Sequence, residues 1–311
     1  MEQFGVLTPK LALRLAAPHT WPASVCPALL GEFYCLLSGY PMSAAEGVAL
    51  LFSCILMQSA VNTFNDFFDY VKGTDSEEDC VDASDSVLVY EHVKPVHALI
   101  LGVGFLVAAG VIVLPLLLTA GMAPIAVGAV GCVVVILYSG GPVPLSYLPV
   151  GELVSGFVMG GLIPLGILAA LTGMFHWSVL AASLPLILGI GLIMMTNNSC
   201  DIEKDVKAGR RTLPVLLGRR HAVWLYRAVV LFWIVLLCVL PLFLLGLPGL
   251  LCPVLVFFVA RRSFRFLLTS PLVQLWRIKQ MKGILKANML GNGAYLVTLV
   301  TTLLMGGTLH V

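Results

Sequence analysis

The chain has 311 residues, 59% of them apolar and only 11% charged, with a net charge of +2 and a mean hydropathy of +1.00. This balance excludes a soluble globular domain, and nothing in it indicates a nucleic acid as a partner. Apolar stretches long enough to cross a bilayer recur along the chain. We therefore expect an all-α polytopic membrane protein, with residues 1–311 forming one transmembrane domain in the lipid bilayer.

Nine membrane-spanning helices in one bundle are predicted. The segment before them, 1–17, carries Lys10 and Arg14 and is expected to be a short interfacial helix rather than a cleaved signal peptide. An amphipathic segment with seven basic residues, 261–286, is expected to lie along the membrane surface. The spans are expected at about 18–39, 44–66, 96–119, 124–138, 150–171, 179–198, 221–244, 247–260 and 287–305.

The basic residues test this number of spans. With nine spans, the loops on one side contain no Lys or Arg, and all 18 lie on the other side or, for Arg227, in the part of the seventh span nearest to it. The positive-inside rule then places the N-terminus, and the loops after the second and sixth spans, in the cytoplasm. The expected location is the inner membrane of a bacterium.

The second span ends in an acidic motif, residues 62–75. Asn62, Asp66 and Asp69 are separated by four and three residues, so they share one face of a helix. A carboxylate within a membrane helix costs about 3 kcal/mol on insertion scales and usually marks function. The acidic stretch that follows, 75–85, is expected to be a solvated loop.

The sixth span ends in a related motif, residues 197–211. Asn197, Asp201 and Asp205 are spaced by four residues each and are expected on one helical face. The two motifs are four spans apart, which suggests related halves, and we expect them to form two halves of one site.

Carboxylate and amide oxygens suit Mg²⁺, which is typically held by one or two carboxylates plus substrate phosphates. We therefore expect Mg²⁺ to be the cofactor and a polyprenyl diphosphate to be a substrate, with its tail in the apolar bundle. The expected catalytic residues are Asp66, Asp69, Asp201 and Asp205, and the expected metal ligands are these four with Asn62 and Asn197. Neighbouring charged residues expected to contact substrate are Lys72, Glu152, Lys207, Arg210 and Arg211.

At these residues the chain resembles the UbiA superfamily of intramembrane aromatic prenyltransferases over essentially its whole length. The first motif is similar to the NDxxDxxxD pattern of that family, with the third acid displaced to Asp75, and the second is similar to its DxxxD pattern. The resemblance implies a nine-helix bundle, a cytosolic Mg²⁺ site and a lateral opening to lipid. It also implies substrate contacts for Asn65, Asp75 and Tyr138.

The form of the first motif and the loop beginning Tyr138-Ser-Gly-Gly-Pro142 most resemble the branch that acts on 1,4-dihydroxy-2-naphthoate. That branch implies an aromatic acceptor, loss of its carboxylate as CO₂, and a product in menaquinone biosynthesis, demethylmenaquinone. The chain departs from the branch at Ala17 and Cys200, where basic residues are common. The alternatives are another acceptor, such as 4-hydroxybenzoate, or a cation-coupled transporter, because intramembrane acids also mark ion pathways.

Overall fold

The protein is described by a computed structural model that covers residues 5–73 and 86–310. Within these ranges the regular structure is helical, apart from one isolated β-bridge between Gly5 and Val93. The α-helices are α1 (Pro9–Leu15), α2 (Pro22–Leu37), α3 (Ala44–Lys72), α4 (Val87–Glu91), α5 (Pro95–Ala120), α6 (Met122–Ser139), α7 (Gly151–Phe157), α8 (Ile163–Thr172), α9 (Ser178–Ala182), α10 (Leu184–Cys200), α11 (Ile202–Lys207), α12 (Leu213–Leu245), α13 (Leu251–Leu255), α14 (Arg261–Thr269) and α15 (Arg277–Leu304).

In the part of the chain that is described, six helical segments are long and apolar enough to cross a membrane. They are α3, α5, α6, the joined α7 and α8 (Gly151–Thr172), α12, and the segment Gln274–Leu304 that contains α15. Two shorter apolar helices, α2 and α10, add to them. These segments confirm an all-α polytopic membrane protein, whereas the number of nine spans stays a prediction.

The predicted amphipathic segment, 261–286, is not one element. Its first part, α14, continues a helical run that begins at Leu247, and its last part forms the first turns of α15. Ser270 between them is extended (ψ 151°), as expected for a residue before a proline, here Pro271. The last helix therefore begins ten residues earlier than the predicted ninth span.

The largest buried cluster lies among α2, α8, α10, α12 and α15, and its largest fully buried side chains are those of Trp233, Tyr226 and Tyr295. The outer face of α5 is instead apolar and exposed, for example at Val107 and Leu118. An exposed apolar belt of this kind suits contact with lipid, where burial against protein is not required.

The helix that carries the second motif is held close to α7 by glycine. A Cβ atom on Gly156 would lie 2.5 Å from the Ile187 carbonyl oxygen, and one on Gly160 would lie 2.5 Å from the Ile187 nitrogen. Only glycine fits such close backbone approach, so these positions fix α10 against the segment that leads into α8.

Candidate active site

A cavity of about 1130 Å³ lies between the motif ends of α3 and α10 and the first half of α15. Its polar end carries side chains from both motifs, and it continues between α2, α5, α6 and α8 along mostly apolar walls. The two motifs, 135 positions apart, therefore share one cavity. The residues of the two motifs that line it are Asn62, Asn65, Asp69, Asn197, Asn198, Asp201, Lys204, Asp205 and Arg210.

The described part of the first motif up to Lys72 lies on α3, as its spacing predicts, and the helix is capped by Gly73 with a left-handed φ of 66°. Asp69 lines the cavity, but Asp66 does not. Asp66 is buried, and its Oδ2 accepts a hydrogen bond of 2.9 Å from the backbone nitrogen of Val87, the first residue of α4. In this structure its carboxylate ties α4 to α3, and its role as a metal ligand stays a prediction.

Asn62 joins α3 to the N-terminal segment. Its Nδ2 donates to the Ala16 carbonyl oxygen at 3.0 Å and to Thr20 Oγ1 at 2.8 Å, and its Oδ1 accepts from Gln58 Nε2 at 3.3 Å. The amide is thus engaged by protein on both sides. These contacts hold the segment before α2 against α3 at the cavity wall. They differ from the predicted contact with a metal ion.

Asn65 and Lys72 connect α3 to the end of α6. Ser139 Oγ donates to Asn65 Oδ1 at 2.8 Å, and Lys72 Nζ donates to the Ser139 carbonyl oxygen, also at 2.8 Å. Lys72 is exposed and does not line the cavity, whereas Asn65 does. The start of the loop that follows α6 is therefore fixed by the first motif.

The second motif does not lie on one continuous helix, contrary to the prediction. The helix α10 ends at Cys200, and Asp201 adopts φ −103° and ψ 19° before α11 begins. These angles belong to the bridge region, where residues of active sites are often found. The break turns Asp201 and Asp205 separately toward the cavity, which both line.

The guanidinium of Arg210 lies between acids of the two motifs. Its Nη2 is 3.1 Å from Asp69 Oδ1, its Nη1 is 3.8 Å from Asp205 Oδ1, and its Cζ lies 4.6 Å from the ring centroid of Tyr147. Asp205 Oδ2 also accepts from Thr212 Oγ1 at 3.2 Å. Burial nevertheless raises the pKa of Asp205 to about 6, against the opposing effect of Arg210.

Sequence reasoning missed Arg277 as a site residue. Its Nε lies 2.7 Å from Asp201 Oδ2 and 3.0 Å from Asn197 Oδ1, so the last helix supplies a cation to the second motif. Arg277 was visible only as one of seven basic residues in the segment assigned to the membrane surface. Burial raises the pKa of Asp201 in spite of this neighbour.

The other residues predicted to contact substrate differ in their position relative to the cavity. Tyr138 lines the cavity. Glu152 does not, but its Oε1 accepts a 2.8 Å hydrogen bond from Asn198 Nδ2, so it supports a residue that does. Lys207 and Arg211 are exposed and also lie outside the lining, and Asp75 falls outside the described residues. Substrate contacts for these residues stay predictions.

Ala17 and Cys200, the two positions where basic residues are common in the similar branch, have different surroundings. Ala17 lines the cavity, near Arg14, which also lines it and pairs with Glu91 at 2.5 Å. Cys200 is fully buried in the core and does not line the cavity. The positive charge beside Asp201 comes from Arg277 instead.

The donor set fits Mg²⁺ shared with a substrate. Among the residues that the structure describes, no three His, Cys, Asp or Glu side chains meet to hold a metal by themselves. The buried Asp201 Oδ1, however, has no hydrogen-bond partner, and a buried polar atom normally has one. One or two carboxylates per ion, completed by substrate phosphates, is the usual way in which proteins bind Mg²⁺.

Helices of spanning length around a cavity with a charged end and an apolar continuation define an integral multi-pass membrane protein with a site suited to an amphipathic ligand. The sequence profile of the UbiA prenyltransferase family matches residues 24–282, so the chain belongs to that family and is a prenyl-transferring enzyme.

Two relatives and one solved structure show how far the similarity extends. The chain is 33% identical over 228 residues to the 1,4-dihydroxy-2-naphthoate octaprenyltransferase of Bacillus subtilis, covering 71% of each protein. It is 30% identical over 225 residues to the UbiA prenyltransferase domain-containing protein 1 homolog of Drosophila melanogaster, covering 71% of this chain and 61% of that protein. The structure of a UbiA homolog from Archaeoglobus fulgidus bound to DMAPP and Mg²⁺ has a TM-score of 0.59 at 16% identity, covering 92% of this chain and 99% of that one.

Proposed function

We propose that the protein transfers a polyprenyl group from a polyprenyl diphosphate to 1,4-dihydroxy-2-naphthoate and so produces demethylmenaquinol, the two-electron-reduced form of demethylmenaquinone, for menaquinone biosynthesis. The observation that carries this proposal is the shared cavity, in which acids from both motifs meet at one end of an apolar tunnel. The similarity to the naphthoate prenyltransferase of Bacillus subtilis supports the choice of acceptor.

The polar end of the cavity is the proposed diphosphate site. Asp69, Asp201 and Asp205, which line it, would hold Mg²⁺, and the sequence motif adds Asp66 as a further ligand. Bound Mg²⁺ would neutralise charge on the diphosphate and so make it a better leaving group. Arg210 and Arg277, which neutralise the acids here, are placed to donate to phosphate oxygens when substrate and metal take over the carboxylates.

The apolar continuation is the proposed site for the prenyl tail. Its walls come mainly from α2, α3, α5, α6 and α8, and no charged side chain enters the lining that α5, α6 and α8 contribute. Burying a hydrocarbon chain there is favourable by about 0.8 kcal/mol per methylene group. The lining includes Pro27, Val113, Leu117, Val127, Ile167 and Ala170.

The proposed reaction balances without an added oxidant or reductant. The allylic C–O bond breaks, and its electron pair leaves with the diphosphate. The electron-rich ring supplies the pair for the new C–C bond, and loss of the ring carboxylate as CO₂ restores aromaticity. The net products are the prenylated diol, diphosphate and CO₂. The residues that line the cavity orient the two substrates and exclude water from the allylic cation.

The test is product formation by the purified protein in detergent with Mg²⁺, a polyprenyl diphosphate and 1,4-dihydroxy-2-naphthoate. Mass spectrometry should detect the prenylated quinol together with released diphosphate, and Asp201→Asn should form neither. Product from 4-hydroxybenzoate but not from the naphthoate would keep prenyl transfer and overturn the proposed acceptor. Ion flux in proteoliposomes without any prenylated product would favour the transporter alternative.

The proposed orientation places the N-terminus and both motifs in the cytoplasm of a bacterial cell. The distribution of Lys and Arg supports it. Cysteine introduced at the exposed Arg211 should react with a membrane-impermeant thiol reagent only after cell lysis, whereas cysteine at the exposed Met174 should react in intact cells. The opposite pattern would reverse the orientation.

A further inference from the structure

The first half of α15 presents a basic face to the cavity. Arg277, Met281, Lys282, Leu285 and Lys286 all line it, and at about 100° per residue they span half of the helix circumference, with Arg277 at one edge and Lys286 at the other. This face was assigned to the membrane surface on sequence grounds. The structure makes it a wall of the same cavity that holds the acids.

Two of these cations, Lys282 and Lys286, have no counter-ion among the residues that the structure describes. Arg277 pairs with Asp201, Arg210 with Asp69 and Asp205, and Arg14 with Glu91. No ion pair joins Lys282 or Lys286 to any residue within 5–73 or 86–310. The described lining contains six Lys and Arg against three Asp, and the two lysines account for most of this excess.

The two lysines are displaced from the acidic end. Five and nine residues of helix separate them from Arg277, which is about 7.5 and 13.5 Å along the axis at 1.5 Å per residue. They are therefore one to two and a half turns from the ion pair at Asp201. A single diphosphate held at the acids does not account for both positions, so the wall offers a second place for an anion.

We propose that Lys282 and Lys286 bind the carboxylate of the aromatic acceptor, and that they select acceptors with an acidic group on the ring. This inference rests on the proposed prenyl transfer. Both lysines are exposed as well as lining the cavity, so they stand where the cavity opens, and a charge-assisted hydrogen bond from an ammonium group to a carboxylate is stronger than one between neutral groups. The alternative is that the lysines only reach toward the membrane surface.

The test compares Lys282→Ala/Lys286→Ala with wild type in steady-state kinetics. The KM for 1,4-dihydroxy-2-naphthoate should rise at least tenfold, while the KM for the prenyl diphosphate stays within twofold. Lys282→Arg/Lys286→Arg should recover most of the affinity. Lys279→Ala is the matched control, because Lys279 lies on the same helix and is exposed but stacks on Trp276 at 4.9 Å, outside the cavity lining.

A second experiment uses an acceptor that lacks the carboxylate. Wild type should prefer 1,4-dihydroxy-2-naphthoate to 1,4-dihydroxynaphthalene, and the double alanine variant should lose that preference. A rise in the KM for the prenyl diphosphate instead, or no change in either KM, would overturn the inference. Melting temperatures establish that each variant is folded.

Failure of the proposed function is distinguishable from failure of this inference. If wild type forms no prenylated product, the proposed reaction is wrong. Equilibrium dialysis of 1,4-dihydroxy-2-naphthoate against wild type and the double variant then still decides the role of the lysines. Weaker binding of the naphthoate to the variant supports Lys282 and Lys286 as the carboxylate site, and equal binding to the two proteins overturns this inference.

Discussion

Arg210 and Asp69 stand 141 residues apart in the chain and 3.1 Å apart in the structure. The same guanidinium lies 3.8 Å from Asp205, so one cation compensates an acid from each motif. Without metal, this arrangement reduces the repulsion between the two acids.

Replacing Arg210 by Ala should therefore lower the stability of the metal-free protein. Removing one partner of a buried ion pair costs about 3 kcal/mol, because the remaining carboxylates are left uncompensated. The melting temperature should fall, and millimolar Mg²⁺ should recover part of the loss. Arg211→Ala is the control, since Arg211 is exposed and outside the cavity. Equal effects of the two substitutions would contradict a bridging role.

Asp201→Asn and Asp69→Asn should each abolish turnover while leaving the bundle folded, with a lower melting temperature because each substitution removes one partner of an ion pair. Each substitution keeps the size of the side chain but removes a charge that Mg²⁺ requires. Because the motifs act as one unit, the double variant should be scarcely slower than either single one. Substantial turnover in Asp201→Asn would show that the second motif has a structural role only.

Asp66 allows metal binding and helix capping to be separated. Asp66→Asn keeps an oxygen that can accept from the Val87 nitrogen, whereas Asp66→Ala does not. If Asp66 is a metal ligand as the motif predicts, the Asn variant should melt normally and be inactive, and the Ala variant should lose about 1–3 kcal/mol as well. Wild-type turnover in Asp66→Asn would restrict Asp66 to its contact with α4.

Mg²⁺ binding should weaken as the pH falls through about 6, the pKa that burial gives to Asp205. The raised pKa means that protonated Asp205 stabilises the fold at low pH, and that this contribution is lost as pH rises through 6. Metal-free protein should thus melt at a lower temperature at pH 7 than at pH 5, and Mg²⁺ should raise the melting temperature more at pH 7. Asp205→Asn should weaken both trends, and what remains is the contribution of Asp201, whose pKa burial also raises.

Gly160→Ala should disturb the contact between the α7–α8 segment and α10. The added Cβ would meet the Ile187 nitrogen at 2.5 Å, and overpacking of this kind costs about 1–3 kcal/mol. Gly110→Ala on α5 is the control, because no atom lies within 4 Å of its Cβ position. Similar melting temperatures for the two variants would argue against close packing at Gly160.

Local spacing was enough to predict that Asn62, Asp66 and Asp69 share a helix, because periodicity along a helix depends only on positions in the sequence. It could not predict that Asp66 would turn to α4 rather than into the cavity, since that contact joins residues 21 positions apart. The helix break at Asp201 was missed for a similar reason. The four-residue spacing continues through it, and only the surrounding packing determines the backbone angles.

Arg277 shows most clearly what could not be predicted from the sequence. Basic residues near apolar helices usually indicate membrane orientation. The sequence alone does not distinguish Arg277 from the six other basic residues of segment 261–286. Its role follows from the early start of α15, which begins at Arg277 soon after α14 has ended at Thr269. Once the helix begins there, its first turn meets the second motif.

The position of α15 bears on when the enzyme becomes competent during its synthesis. Every other described helix precedes it, yet it supplies the cation beside Asp201 and one wall of the cavity. A nascent chain that has inserted α3 and α10 holds both acidic motifs but lacks this wall. The capacity to bind substrate therefore arises only after residue 277 and the turns that follow have left the ribosome and packed against α10.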